Sequence, residues 1–110
     1  MSETTLAADG FDPTEAMADS YRLLFENERV RVSEVRLAAG QKVPSHSNSA
    51  SVIYVINDGK LRHIYPDGKV RETEAEAGTV VWDDAETHAT ENIGGTEIHS
   101  IKVELKQSPR

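Results

Sequence analysis

The sequence predicts an all-β chain folded into one sandwich or barrel. Three observations support this. After position 20, short β-branched or alternating runs recur with turn residues between them, roughly every 8–12 positions. No helical periodicity is sustained anywhere in that stretch. The length, 110 residues, suits one domain and is enough to bury a real core.

The elements follow in order. Residues 1–20 hold five acids (Glu3, Asp9, Asp12, Glu15 and Asp19), no Lys or Arg and few large apolar residues, so they are expected to form a short flexible acidic arm. One short helix fits within it, with Asp12 as cap, Pro13 at the first helical position and Glu15 completing a D-x-x-E box. Tyr21–Phe25 is the first expected strand, closed by Glu26-Asn27-Glu28. Arg29–Leu37 is the second. Its apolar residues change parity between Val32 and Val35, which implies a bulge near Ser33-Glu34. Gly40 ends that unit. Ser51–Ile56 is a β-branched run expected to be a buried strand, and Asn57-Asp58-Gly59 after it is a hairpin signal. Lys60–Tyr65 is closed by the turn Pro66-Asp67-Gly68. Val70–Ala75 is polar and suits a sheet edge, its Glu72-Thr73-Glu74 run facing solvent. Thr79–Trp82, His88–Ile93 and Ile98–Leu105 complete the set, and the tail 107–110 is expected to fray.

Composition excludes several functions. There is no cysteine, so disulfides, thiolate metal sites and thiol catalysis are absent. The formal charge is −7, which speaks against nucleic acid and against docking on an acidic membrane. Most of that charge belongs to the first 20 residues. The other 90 hold 14 acids and 12 bases, so the barrel is nearly balanced. The longest apolar run, Val52–Ile56, is too short to span a bilayer, and the first residues carry neither a basic nor an apolar leader segment. A cytoplasmic protein is the expectation.

The histidines carry the functional signal. His46 follows Gly40 after five residues and precedes the apolar strand and Gly59, while His88 follows Gly78 and precedes Asn92 by four positions. This arrangement resembles the two motifs of the cupin superfamily, G-x5-H-x-H-x3,4-E-x6-G and G-x5-P-x-G-x2-H-x3-N. The resemblance covers about residues 21–106 and is carried by Gly40, His46, Gly59, Gly78, His88 and Asn92, with the second motif one residue short before His88. It implies a single cupin jelly-roll β-barrel with a ligand pocket inside. The phrases Leu24–Val32, Tyr65–Lys69 and Thr87–Asn92 are similar to a group of small single-domain cupins that includes proteins labelled as associated with β-alanine degradation. Small single-barrel cupins commonly pair, so the resemblance also implies a homodimer, joined at a sheet edge or by exchanged terminal strands.

In the family, three histidines and a glutamate converge on one metal. Here only His46 and His88 match. Asn48 stands at the second histidine position, and Val52 (or Ile53 in the longer spacing) stands at the glutamate. The resemblance therefore implies a divalent ion (Fe, Mn, Ni or Zn) on His46 and His88, with Asn48 or His99 completing the shell. Parity along Ile98–Leu105 puts His99 in phase with Ile101, Val103 and Leu105, and so on an inward face. His63, in phase with Leu61 and Tyr65, is also expected inward; for either histidine the plainer alternative is a hydrogen-bonded core residue. Tyr54 and Trp82 are expected as core or pocket wall, and Asp83, Asp84 and Glu86 as a solvated loop able to lend a carboxylate to an imidazole. Three functions follow: a metal-dependent enzyme on a small polar metabolite, dioxygenase- or isomerase-like; a metal-free cupin that binds a small molecule without catalysis; and, behind these, a structural or interaction role with a filled barrel and the acidic arm docking to a partner.

Overall fold

The computed structural model describes residues 20–106. The expected acidic arm, with its helix at Asp12–Glu15, and the tail 107–110 lie outside the described residues, apart from Ser20. That residue is buried against the barrel: its carbonyl accepts from Arg36 N at 2.8 Å and its Oγ from Gln41 Nε2 at 2.7 Å.

Nine strands form among the described residues, with no helix. They are β1 (Tyr21–Glu26), β2 (Val30–Leu37), β3 (Lys42–Asn48), β4 (Ser51–Val55), β5 (Gly59–Ile64), β6 (Val70–Ala75), β7 (Val80–Asp83), β8 (Glu86–Asn92) and β9 (Ile98–Leu105). All pair antiparallel, in a five-stranded sheet β1-β2-β9-β4-β7 and a four-stranded sheet β3-β8-β5-β6. The two sheets enclose the interior as a jelly roll, the all-β class that the turn spacing predicts. No helix of the described residues is long and apolar enough to cross a membrane.

Two hairpins lie within a sheet, and both use side chains that satisfy turn backbone. Asn27 Oδ1 accepts from the amides of Arg29 and Val30 between β1 and β2. Asp67 Oδ1 accepts from Lys69 N between β5 and β6, where Gly68 takes a φ of +88°. The segment Asn57-Asp58-Gly59, expected as a hairpin, instead carries the chain from one sheet to the other, since β4 and β5 share no ladder. Glycine suits the close approach there: a Cβ on Gly59 would meet Cδ1 of Ile98, whose buried side chain would have to shift.

Three expectations about strands are corrected. Strand β3 was not foreseen, because Lys42–Asn48 has one aliphatic residue and a proline. It is an edge strand whose register shifts between Val43 and His46, where Pro44 needs no ladder partner. The bulge expected in β2 lies in its partner: Leu23 pairs with Ser33 and Phe25 with Val32, leaving Leu24 as the extra residue, while β2 runs against β9 without a break. The third correction concerns the phase of β9. Its inner face is Ile98, Ser100, Lys102 and Glu104, all buried; Ile101, Val103 and Leu105 face outward.

The interior is divided. At one end Leu37, Val43 and Ile98 form a buried apolar cluster, with Tyr21 and Leu61 packed on it. The corner beside it is tied by Asn92, fully buried, which donates to the carbonyls of Leu37 and Thr96 and accepts from Gly94 N. The opposite end holds buried charge: Glu26 accepts from Arg31 at 3.3 Å and pairs with Lys106 at 2.5 Å. Replacing Leu37 by alanine should leave a cavity that the closed jelly roll cannot collapse, costing about 2–4 kcal/mol in urea unfolding. A loss below about 1 kcal/mol would contradict its place in the core.

Candidate functional site

Between the sheets lies a cavity of about 180 Å³. The four-stranded sheet supplies His46 from β3, His88 and Thr90 from β8, His63 from β5 and Arg71 from β6; the facing sheet supplies Ser100 and Lys102 from β9 and Asp83 from β7. Strand alternation explains the convergence. His46 and His88 are direct cross-strand partners, and His63 pairs with Thr90 on one side and Arg71 on the other. All three histidines are buried. The His88 ring is their hub, 5.4 Å from His46, 4.5 Å from His63 and 5.9 Å from Tyr65 between ring centres.

A directional hydrogen-bond chain crosses this wall. Lys102 Nζ donates to Asn48 Oδ1 at 2.8 Å. The ammonium can only donate, which orients the Asn48 amide with its nitrogen toward His88. Asn48 Nδ2 then donates to His88 Nε2 at 3.2 Å, and His88 Nδ1 donates to Glu86 Oε2 at 2.8 Å. A second arm reaches the same carboxylate from the mouth: Arg71 Nε donates to Tyr65 Oη at 3.1 Å, which donates to Glu86 Oε2 at 3.3 Å. His46 donates Nδ1–H to the Pro44 carbonyl at 2.7 Å. The chain makes His88 the Nδ1–H tautomer, with its Nε2 lone pair taken by Asn48.

Charge follows from this wiring. Burial pushes the pKa of His46, His63 and His88 down, that of His63 to about 4, so the imidazoles are neutral near pH 7. The Glu86 carboxylate pulls partly the other way at His88. For Lys102 burial also works against charge, but Tyr21 and the carboxylates of Glu104 and Asp83 outweigh it and hold its pKa above the ordinary lysine value. Lys102 is the interior's ammonium.

His46, His63 and His88 therefore come together in the cavity wall with the Asp83 carboxylate, and Asn48 and Glu86 hold the His88 ring from behind that wall. Three expected residues do not join them. His99 lies on the outer face, its Nε2 bonded to Glu34 Oε2 at 2.7 Å. Tyr54 and Trp82 lie on that same outer face, 48% and 53% exposed, and Trp82 Nε1 donates to Asp84. Lys102 was missed because the apolar alternation 101-103-105 suggested the opposite phase. The signal available was the competing alternation Ser100-Lys102-Glu104, which reads as solvent-facing unless a buried polar wall is anticipated.

The donor set does not fit the metal that the two-histidine motif implies. No three His, Asp or Glu among the described residues are placed to hold an ion together. The His88 lone pair is already taken, and the amide that takes it is tied to an ammonium that would repel a divalent cation.

The jelly roll, with His46 and His88 on paired strands of one sheet, is a fold of the cupin class. Comparison with solved structures agrees. The chain is similar to a cupin domain from Bordetella pertussis Tohama I, with 25% identity over 79% of this chain and 92% of that one and a TM-score of 0.72. It also resembles an RmlC-like cupin family protein with a double-stranded β-helix fold from Methanocaldococcus jannaschii, at 18% identity over 78% of each chain and a TM-score of 0.62. A polyketide cyclase from Streptomyces resistomycificus shares the fold at 21% identity, over 82% of this chain and 66% of that one, with a TM-score of 0.59. No family model matches the sequence, and neither does any curated protein. The chain thus has the cupin fold, and its structural neighbours include at least one enzyme.

The neutral histidines make stability acid-sensitive. The pKa of His63 falls from 6.5 to about 4 on folding, so between those values the unfolded chain binds a proton that the folded chain does not. Stability is complete above the unfolded value and is lost as pH falls toward the folded one. The loss from His63 should be on the order of 1–2 kcal/mol at about pH 5, after allowance for screening through the cavity mouth. Urea unfolding at about pH 7.5 and pH 5 measures it, and His63→Gln should flatten the difference.

Proposed function

We propose that this chain is a metal-independent cupin that binds a small organic molecule between its sheets. The observation that carries this reading is the chain from Lys102 through Asn48 to His88 and Glu86. It spends the imidazole nitrogen that a metal would need and fixes the ring by hydrogen bonds instead. The wall still offers a ligand what a small-molecule site requires: an apolar end at Leu37, Val43 and Ile98, and a few convergent polar groups. The resemblance to cupins associated with β-alanine degradation makes short carboxylic acids the first compounds to test.

The metal-dependent enzyme retains one supporting observation, the direct pairing of His46 and His88 across β3 and β8. Elemental analysis of untagged protein separates the two readings. Less than about a tenth of an equivalent of Fe, Mn, Ni or Zn is expected, even after metal is offered, with no loss of thermal stability in chelator. Near-stoichiometric metal that disappears in the His46→Ala/His88→Ala double variant would overturn the proposal and restore the enzyme.

A further inference from the structure

Lys102 is the most unusual group in the interior. Its side chain is buried, and both of its hydrogen-bond partners are neutral oxygens, Asn48 Oδ1 at 2.8 Å and Tyr21 Oη at 3.5 Å. Among the described residues no carboxylate comes within ion-pair distance of its Nζ; Asp83 and Glu104 act on it only at longer range. An ammonium has three donors, and the long Tyr21 contact uses one of them weakly. Burying a charge without a counterion is costly, and proteins rarely retain one without a use. Glu86 does not neutralise it directly, because that carboxylate is held by His88, Tyr65 and Arg71.

From these contacts we infer that the ligand is a small organic anion, a carboxylate with a short apolar tail, whose oxygens complete the shell of Lys102. The inference rests on the metal-independent binding reading above. The tail lies toward Leu37, Val43 and Ile98, the apolar end of the same cavity. The neutral imidazoles of His46 and His63 add polar lining without competing charge. The ammonium supplies a buried positive charge against which an anion is oriented, and the Arg71 guanidinium lines the same cavity from β6.

The test is an amide-detected NMR titration of the full chain in chelator, with butyrate and with its neutral analogue butyramide. Butyrate should shift Thr90, Ser100 and Lys102 and bind at least about tenfold more tightly than butyramide. In Lys102→Met the two should bind alike. Equal binding of both to wild type would overturn the inference while leaving the binding reading intact, and this comparison needs no variant to fold. Binding of neither compound without metal, but of either once Fe or Zn is added, would overturn the binding reading itself.

A second observation stands apart from the cavity. The outer face of the five-stranded sheet is apolar where a solvated face should be polar. One register row crosses all five strands as Phe25, Val32, Val103, Val52 and Trp82. Phe25 is 54% exposed and Trp82 53%, and Tyr54, Val80 and Leu105 of adjacent rows are exposed too. Charge on this face gathers at one end, in Arg22, Glu34, Arg36 and His99. Strands of 6, 8, 8, 5 and 4 residues at their usual rise and spacing present roughly 500 Å² per face, so two such faces bury about 1,000 Å², the area at which a specific dimer begins. An apolar centre with a charged rim is the composition of such an interface.

We propose that this face packs on a second copy of the chain, as an isologous sheet-on-sheet dimer. The contact is a sheet face, where the sequence suggested an edge or exchanged strands. Sedimentation equilibrium of the full chain at about 10–100 µM should give a dimer mass. Both Val103→Arg and Trp82→Arg should give monomers with unchanged far-ultraviolet circular dichroism; Trp82, at the margin of the row, serves if the central variant fails to fold. A monomeric wild type, or dimers that persist in the folded variants, would overturn the proposal.

Discussion

The ammonium of Lys102 is the constraint from which the rest of the site follows. A lysine placed between two sheets must be solvated by protein, and the first available oxygen is that of Asn48. Once that amide is oriented, its nitrogen faces His88, so the His88 ring must accept at Nε2 and donate at Nδ1. Glu86 then receives the Nδ1 proton, and Tyr65 and Arg71 close on the same carboxylate from the mouth. Each group has one compatible role, so the network specifies a single arrangement. Removing one member leaves its neighbours unpaired in a buried place, which costs more than the hydrogen bond lost.

This wiring explains the pair of departures from the cupin motif. With asparagine in place of the second histidine, position 48 offers both a donor and an acceptor; an imidazole in one tautomer could do the same only by giving up its metal-binding lone pair. At the glutamate position, Val52 lies on the outer face and Ile53 on the cavity wall, so the carboxylate is replaced by an aliphatic side chain. Charge compensation that a glutamate would give a metal is absent where an ammonium sits instead. The two departures and Lys102 are mutually consistent.

Much of the fold could be read from the sequence because turn chemistry is local. Gly68 and Gly78 mark turns by their positive φ, and the strands around them fall within a residue or two of expectation. The elements that escaped were those decided by partners distant in the chain. Strand β3 has almost no apolar alternation and exists because its edge position asks only for ladder bonds to β8. Asn57-Asp58-Gly59 has the composition of a hairpin, yet the flanking strands lie in different sheets, a choice made by the pairing of β4 with β9. His46 and His88 were found because a motif names them. Glu86 came into view as a carboxylate two positions from His88. Lys102 had no such marker.

The misreading of β9 has one physical origin. Alternation reports which face is apolar, and only by assumption which face is inside. In β9 Ile101, Val103 and Leu105 point outward and Ser100, Lys102 and Glu104 point inward, so the rule inverted His99 and hid Lys102 together. An inverted strand at the centre of a sheet is costly, since it leaves Val103 and its row half-buried on the outer face while burying charge inside. Within the barrel the charge is met only by Asn48, Tyr21 and longer-range carboxylates. The proposed partner sheet on the outer face would meet the first cost, and the proposed anion on the ammonium would meet the second. Lys102 and Val103 are adjacent on one strand, about 3.4 Å apart along it, so the proposed dimer contact and the proposed ligand contact draw on the same backbone. In the proposed dimer, an outer contact that stiffens β9 would also position Lys102 Nζ, and its loss would loosen the ammonium before the histidine wall, which belongs to the other sheet.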